Sequence, residues 1–460
     1  MIFKQFFLNC LAHYSYIIGS NGKACVIDPS RDVDQYLEFL KANNLELMYI
    51  IETHSHADFV SGHLELSSIT SAPVIYGQKA KVDFTHMGVS DNDTINLGDL
   101  DLRFLETPGH TLDSICILAT DKNSTASYLF TGDTLFIGDV GRPDLAANSS
   151  ASVADMASLL YDSLHSKILT LPPEIIIYPG HGAGSLCGKS IGKGHSSTLK
   201  EEMNNNALLS LSKEEFIDAV AKNLPPIPAY FKRAVAMNQT GPKSIDSFNN
   251  LTVMSGNDIN SFDFAHNTLV DVRKPGEFSQ GHIKGSINIG LDGQFASWAG
   301  SMLDLDKPIY IVASCESDIK EAKIRLARVG IDNVKGYWLF TDSNKHEVKM
   351  VRSSEVGVEK LNEILRQDSV DILDIRTNTE FKKHSISGSV NIPLLELKDN
   401  LQNLDKFDKI YIICGSGYRS SIAYSYLESL DNFKPKIINI IGGMASYLNL
   451  TKSDLTKVKS

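Results

Sequence analysis

The chain has 460 residues, 42% of them hydrophobic and 22% charged, with a formal net charge of −11. That apolar fraction builds real cores and excludes a disordered or fibrous chain, and the length predicts about three domains. The acidic balance excludes the concentrated basic face that nucleic acid or an anionic membrane requires, and leaves small molecules as the expected partners.

The opening stretch MIFKQFFLNCLAHYSYIIGS reads as a first strand rather than a signal peptide, because Asn9, His13 and Ser15 interrupt its apolar run. No uninterrupted apolar run of about 18 residues follows, so no membrane span is expected and a cytoplasmic location is. The six cysteines, at positions 10, 25, 116, 187, 315 and 414, form no CxxC pair, which suits a reducing compartment with thiols free for chemistry.

Up to about residue 240, apolar strand-like runs end repeatedly in His- or Asp-bearing loops: LMYIIETHSHADF, LRFLETPGHT, SYLFTGD and EIIIYPGHG. THSHADF sets His54, His56 and Asp58 on alternate residues just after a strand, where alternate side chains share one side. His110 follows in TPGHT, Asp133 in TGD and His181 in PGHG. Four strand ends that each deliver imidazole or carboxylate predict convergence on a metal. Downstream, HGAGSLCGKSIG carries Cys187, a candidate for binding substrate or accepting sulfur or else an inert residue of a flexible loop, with Lys189 and Lys193 placed to attract an anionic thiol. The Pro-rich LPPIPAYFKR reads as a semi-rigid linker or a packed closing segment, with a domain boundary near Asn238 to Ser247.

Beyond that boundary the chain repeats itself. LVDVRKPGEFSQGHIKGSINI, from Leu269, aligns without a gap on ILDIRTNTEFKKHSISGSVNI, from Ile372. Asp271, Arg273, Glu277, Phe278, Gly285, Ser286, Asn288 and Ile289 recur as Asp374, Arg376, Glu380, Phe381, Gly388, Ser389, Asn391 and Ile392. Each copy, of about 100 residues, reads as an α/β unit with a parallel sheet. In the second copy the strand IYIIC runs into CGSGYRSS and then a helix pattern, so Cys414 heads a loop of backbone N–H groups at a helix N-terminus. Such a nest stabilises a thiolate or persulfide; Gly415 and Gly417 permit the tight wrap, Ser416 and Tyr418 complete the candidate sulfur-binding loop, and Arg419 adds a fixed positive charge. The first copy aligns Ala313 with Cys414, Glu316 with Gly417 and Asp318 with Arg419, so it is expected to be catalytically inactive, with Cys315 two residues late.

The order of His and Asp motifs in the first 240 residues resembles the metallo-β-lactamase fold. Its di-metal hydrolases, glyoxalase II among them, carry HxHxDH, whereas here the last position is Phe59, so a second metal site loses a ligand. The mononuclear set His54, His110 and Asp133 matches the iron ligands of persulfide dioxygenases, which the resemblance implies for this domain: Fe(II), one per chain, with zinc as the alternative. His56, Asp58 and His181 would then orient ligands or hydrogen-bond water and substrate. The C-x4-R loop of Cys414 resembles an active rhodanese.

The whole order resembles the CstB-type persulfide dioxygenase–sulfurtransferase fusions. The implied architecture is α/β, a metallo-β-lactamase αββα sandwich over 1–242 followed by an inactive rhodanese-like domain over 243–350 and an active one over 351–460. The implied function is oxidation of a low-molecular-weight thiol persulfide by dioxygen to sulfite and thiol, coupled to thiosulfate formation at Cys414 and Arg419, in sulfide detoxification. Coenzyme A, bacillithiol and glutathione all remain open as carrier thiols, with glutathione disfavoured by Gly182. A homo-oligomer is expected, and a zinc thioester hydrolase of glyoxalase II type with sulfur-carrier domains is the rival reading.

Overall fold

The computed structural model describes residues 1–123, 127–147, 151–222, 224–248, 250–367 and 370–457. It divides into two compact units, Met1–Ser247 with Ala327–Gly330, and Phe248–Leu326 with Ile331–Ser460.

Among the described residues, the first unit contains two six-stranded sheets. One runs in chain order through Ile2–Leu8, His13–Ser20, Lys23–Ile27, Glu46–Ile51, Val74–Gly77 and Met87–Val89. The other is ordered Ser197–Thr198, Ile176–Pro179, Ser127–Gly132, Ile115–Asp121, Leu100–Glu106 and Thr94–Leu97. Period-two alternation sorts the layers. Tyr14, Tyr16 and Ile18 meet Leu102, Phe104, Ile117 and Phe130 of the other sheet in a shared core. The intervening Ile17 turns instead to Tyr36 and Leu40 of the helix Asp34–Ala42 and Leu66 of the helix His63–Thr70. On the far face of the second sheet, Leu105, Leu118 and Leu129 pack with Ala157 and Leu160 of the helix Val153–Ser163 and Phe216 of the helix Lys213–Ala221. Helix, sheet, sheet, helix is the αββα sandwich that the motif order implies.

The Pro-rich stretch turns out to be a closing segment. It leads into the helix Tyr230–Thr240, which buries Tyr230, Phe231, Ala234 and Asn238. No helix among the described residues is long and apolar enough to cross a membrane.

The second unit holds two five-stranded parallel sheets with the same strand order. The first is Thr252–Val253, Val334–Leu339, Ile309–Ala313, Thr268–Asp271, Ile287–Asn288; the second is Glu355–Gly357, Lys436–Ile441, Lys409–Ile413, Ile372–Asp374, Val390–Asn391. The recurring residues explain why the sequence repeats. Arg273 Nε donates to Asp271 Oδ1 at 2.9 Å, and Asn288 Nδ2 donates to the carbonyls of Asp271 and Arg273 at 3.0 and 2.9 Å. Arg376 repeats the first bond to Asp374 at 3.0 Å, and Asn391 repeats the other two at 2.8 Å each. Each Asp-x-Arg ties down the backbone as a strand ends, and each Asn adds a second bond to the Asp carbonyl, which also accepts from Ile289 or Ile392 N, and bonds the Arg carbonyl two residues on.

Candidate active site

The strand Glu46–Ile51 ends before THSHADF begins, and the motif lies in a loop. Period two therefore lapses, and the common side expected for His54, His56 and Asp58 does not form. His54 groups with His110 and Asp133, Asp58 with His181 and Cys187, and His56 with Asp28 and Glu52.

In the first group, His54 Nε2 and His110 Nε2 lie 3.8 and 3.5 Å from Asp133 Oδ2. His54 Nε2 and Asp133 Oδ2 are buried with no hydrogen-bond partner. The far atom of each of the three groups is held. His54 Nδ1 is 2.9 Å from Thr53 Oγ1, which donates to Asp28 Oδ2 at 2.8 Å. His110 Nδ1 lies 3.0 Å from the Arg142 carbonyl, and His181 Nδ1 lies 2.7 Å from Asp133 Oδ1. Such outer bonds fix ring orientation and leave the inward atoms free for a metal. Burial, then the neighbouring His56, lowers the His54 imidazole well below its usual range, and burial likewise lowers that of His110. Burial alone would raise the Asp133 carboxyl, but His181, His54 and His110 outweigh it and hold it down. Two neutral imidazoles and one carboxylate are the protonation states in which these groups bind metal. Space at the carboxylate is created by glycine: a β-carbon at Gly141 would collide with the Asp133 carbonyl, and one at Gly180 would sit 2.6 Å from Asp133 Oδ1.

His56 faces away from this set. Its Nε2 is 3.1 Å from both Asp28 Oδ1 and Glu52 Oε2. Burial disfavours its charge, but the two carboxylates prevail and raise its pKa well above the usual imidazole value, while Glu52 ends at about 2. Phe59 is fully buried, its ring centroid 4.0 Å from that of His13 and 4.4 Å from that of His56. It fills with carbon the place where the related hydrolase motif has a ligand.

In the third group, His181 Nε2 is 2.7 Å from Asp58 Oδ2. Burial would lower the His181 imidazole, but Asp133 and Asp58 hold it up at about 10. Cys187 is 1% exposed, and burial, followed by Asp58 and Asp133, pushes its thiol well above the ordinary range. Its glycine-rich surroundings suggest an open flexible loop, yet the loop is pinned. Arg142, itself buried, donates from Nε and Nη2 to the two Asp144 oxygens at 2.7 Å each, from Nη1 to the Leu186 carbonyl at 3.2 Å and from Nη2 to the Pro225 carbonyl at 2.6 Å. Its N–H also donates to the Cys187 carbonyl at 3.0 Å. Lys189 Nζ is engaged by the carbonyls of Ala219 and Lys222, which removes it from the expected attraction of an anion.

Several residues that shape the site carry no motif of their own. Asn238 accepts from Ser61 N at 2.8 Å and donates to the His56 and Phe59 carbonyls at 2.9 and 2.8 Å, clamping the loop from the closing helix. Asp113 accepts from the Ser55 N–H and hydroxyl at 3.0 and 2.6 Å. Their only signal in the sequence is a short polar residue at the edge of an apolar run, and many positions share it.

In the second unit, Cys414 follows the strand Lys409–Ile413 and is buried. Gly417 N donates to its Sγ at 3.1 Å, and Ser420 Oγ lies 3.6 Å from it. Gly417, at φ +110°, caps the helix Tyr418–Glu428 in a conformation that L side chains rarely adopt. Gly415 and Ser416 complete the turn, Ser416 exposed. Tyr418 OH donates to the Gly290 carbonyl at 2.7 Å. Arg419 is not a free charge, because both its Nη atoms donate to Glu380, at 2.8 and 2.6 Å. The first copy ends the corresponding strand at Ala313, opens its helix with Glu316 and Asp318, and leaves Cys315 exposed, 3.0 Å from Ser317 Oγ.

A layered αββα unit with a buried His, His, Asp cluster, followed by two copies of a parallel α/β unit, defines the class. The chain belongs to the metallo-β-lactamase superfamily, whose profile matches residues 8–181, and the rhodanese-like domain profile matches residues 258–337 and 357–450. Within that class, the first half is similar to the mitochondrial persulfide dioxygenase of Bos taurus, 31% identical over 241 residues that make up 52% of this chain and 87% of that protein. It is also similar to the hydroxyacylglutathione hydrolase of Pelagibacter ubique, 32% identical over 236 residues, 50% of this chain and 89% of that one. A metallo-β-lactamase structure from Staphylococcus aureus is 33% identical with a TM-score of 0.68, covering 74% of this chain and 99% of its own.

Proposed function

We propose that the first unit is a non-haem Fe(II) persulfide dioxygenase and the last domain a sulfurtransferase that returns sulfane sulfur to the sulfite produced, in the detoxification of sulfide. The observation that supports this reading best is the convergence of His54 Nε2, His110 Nε2 and Asp133 Oδ2, with His56 turned away and Phe59 offering no ligand. Two imidazoles and one carboxylate are the donor set of mononuclear Fe(II) oxygenases, whereas di-zinc hydrolases need more ligands. Fe(II), when bound there, supplies the redox chemistry that lets dioxygen react with sulfur.

The chain's own residues do the rest. Thr53 and the Arg142 carbonyl aim the two imidazoles, and His181 holds the Asp133 oxygen that faces away from the metal position. The overall change is persulfide plus dioxygen plus water to thiol plus sulfite plus two protons. At Cys414, the persulfide R–S–SH gives its outer sulfur to the thiolate, the carrier leaves as thiol, and sulfite then takes that sulfur as thiosulfate, restoring the cysteine.

The similarity to hydroxyacylglutathione hydrolase supports a second reading, zinc-dependent thioester hydrolysis. Metal analysis of anaerobically purified protein, with oxygen-electrode traces on adding coenzyme A, bacillithiol and glutathione persulfides in turn, separates the two. About one iron per chain with persulfide-dependent uptake is the expected result. Zinc with thioester cleavage and no uptake would overturn it.

A further inference from the structure

The two rhodanese-like copies enclose a cleft of about 880 Å³ beside the Cys414 loop, lined by residues of both. A four-atom oxyanion needs roughly 100 Å³ on the scale of about 30 Å³ per water, so the cleft is far larger than inorganic sulfur requires and lies in the range of organic ligand sites. Its walls also suit an organic molecule. Trp298 of the inactive copy and Tyr418 and Ile441 of the active one line it, and Ile441 is 49% exposed. The charges on the lining are Asp292, Glu355 and Arg419. Because Glu380 already occupies the guanidinium through two bonds, the uncompensated charge in the cleft is negative. The side-chain charges of these walls favour a cationic group on a carrier.

We propose that this cleft binds an organic persulfide whose carrier bears an ammonium group, and that the inactive copy supplies the recognition wall, Trp298 for the carrier's body and Asp292 for its charge. The inference rests on the reading of Cys414 as a sulfur acceptor. In the transfer, the Cys414 thiolate attacks the outer sulfur of R–S–SH. A new Sγ–S bond forms, the carrier's S–S bond breaks, and its electron pair leaves on the carrier thiolate, with no net oxidation.

The test uses the full chain and three donors: cysteine persulfide, N-acetylcysteine persulfide, which lacks the ammonium, and thiosulfate. Mass spectrometry follows gain of one sulfur atom at Cys414. Wild-type protein is expected to load from cysteine persulfide at the lowest donor concentration. D292N, at an exposed position, should raise the half-loading concentration for cysteine persulfide about tenfold, as for a lost charge-assisted bond, and leave that for N-acetylcysteine persulfide unchanged. W298A should raise it for both organic donors, with the rate at saturation retained. Equal use of all three donors, or no donor-selective change in D292N, overturns the proposal while leaving Cys414 as acceptor. Failure to load from any donor overturns that reading, and the proposal with it.

Discussion

Thr53 links His54 to a buried carboxylate: its hydroxyl donates to Asp28 and so accepts the hydrogen bond from His54 Nδ1–H, fixing the tautomer that presents Nε2 inward. Thr53→Val keeps the shape and removes the relay, and should weaken iron binding about 10- to 100-fold, read by competition with a chelator, with circular dichroism unchanged. Arg142 acts on two neighbours at once, its carbonyl on His110 and its guanidinium on the backbone that carries Cys187. Lysine cannot reproduce that planar fork, so Arg142→Lys should speed alkylation of Cys187 by at least about tenfold, counted by peptide mass mapping. Histidines and aspartates were legible here because strand-end motifs carry them in a recognisable order. Their division into three clusters was not legible, because it depends on where the strand Glu46–Ile51 stops and on what Asp28 and Glu52, distant in sequence, offer to His56.

The helix Tyr418–Glu428 joins chemistry to architecture at the scale of elements. Its N-terminal loop holds Cys414, and its flank meets the first copy, where Ser421 Oγ donates to Asn288 Oδ1 at 2.6 Å and Asn288 N donates to Ser425 Oγ at 2.9 Å. Asn288→Ala therefore breaks a turn in one copy and a contact with the other. It should destabilise this unit by about 1–3 kcal/mol, measured by calorimetry, because the Arg273 carbonyl and the Ser421 hydroxyl lose this partner. Glu380 joins a short helix, Asn378–Lys383, to that same loop through Arg419. Burial opposes its charge, but Arg419 prevails and brings the carboxyl down to about 2, below its ordinary range. A depressed carboxylate stabilises the fold above its unfolded pKa, and that contribution is lost as pH falls toward the folded value. The stability difference between wild type and Glu380→Gln should thus be constant above about pH 5 and vanish near pH 2, followed by denaturant titrations across that range. The repeat made these elements readable, since Asp-x-Arg and Asn recur for a backbone reason. Pairing of Arg419 with Glu380 was hidden, because the sequence shows a charge but not its partner.

For the whole molecule, the division into two units predicts separable chemistry. Cys414→Ser should abolish thiosulfate formation while persulfide-dependent oxygen uptake persists, and His110→Ala should abolish uptake while Cys414 still gains sulfur from a persulfide, each measured on the full chain. Loss of both activities in either variant would show that the roles have been divided wrongly. The duplication also bears on descent. The copy that ends its strand at Ala313 has no Cys414-type loop to keep intact, so under the proposed recognition its cleft-facing positions 292 and 298 answer only to the choice of donor. On the proposed reading, changes there would alter which donor is accepted without disturbing the Cys414 loop across the cleft. Donor choice could then evolve in the copy that lacks the cysteine, apart from the copy that bears it.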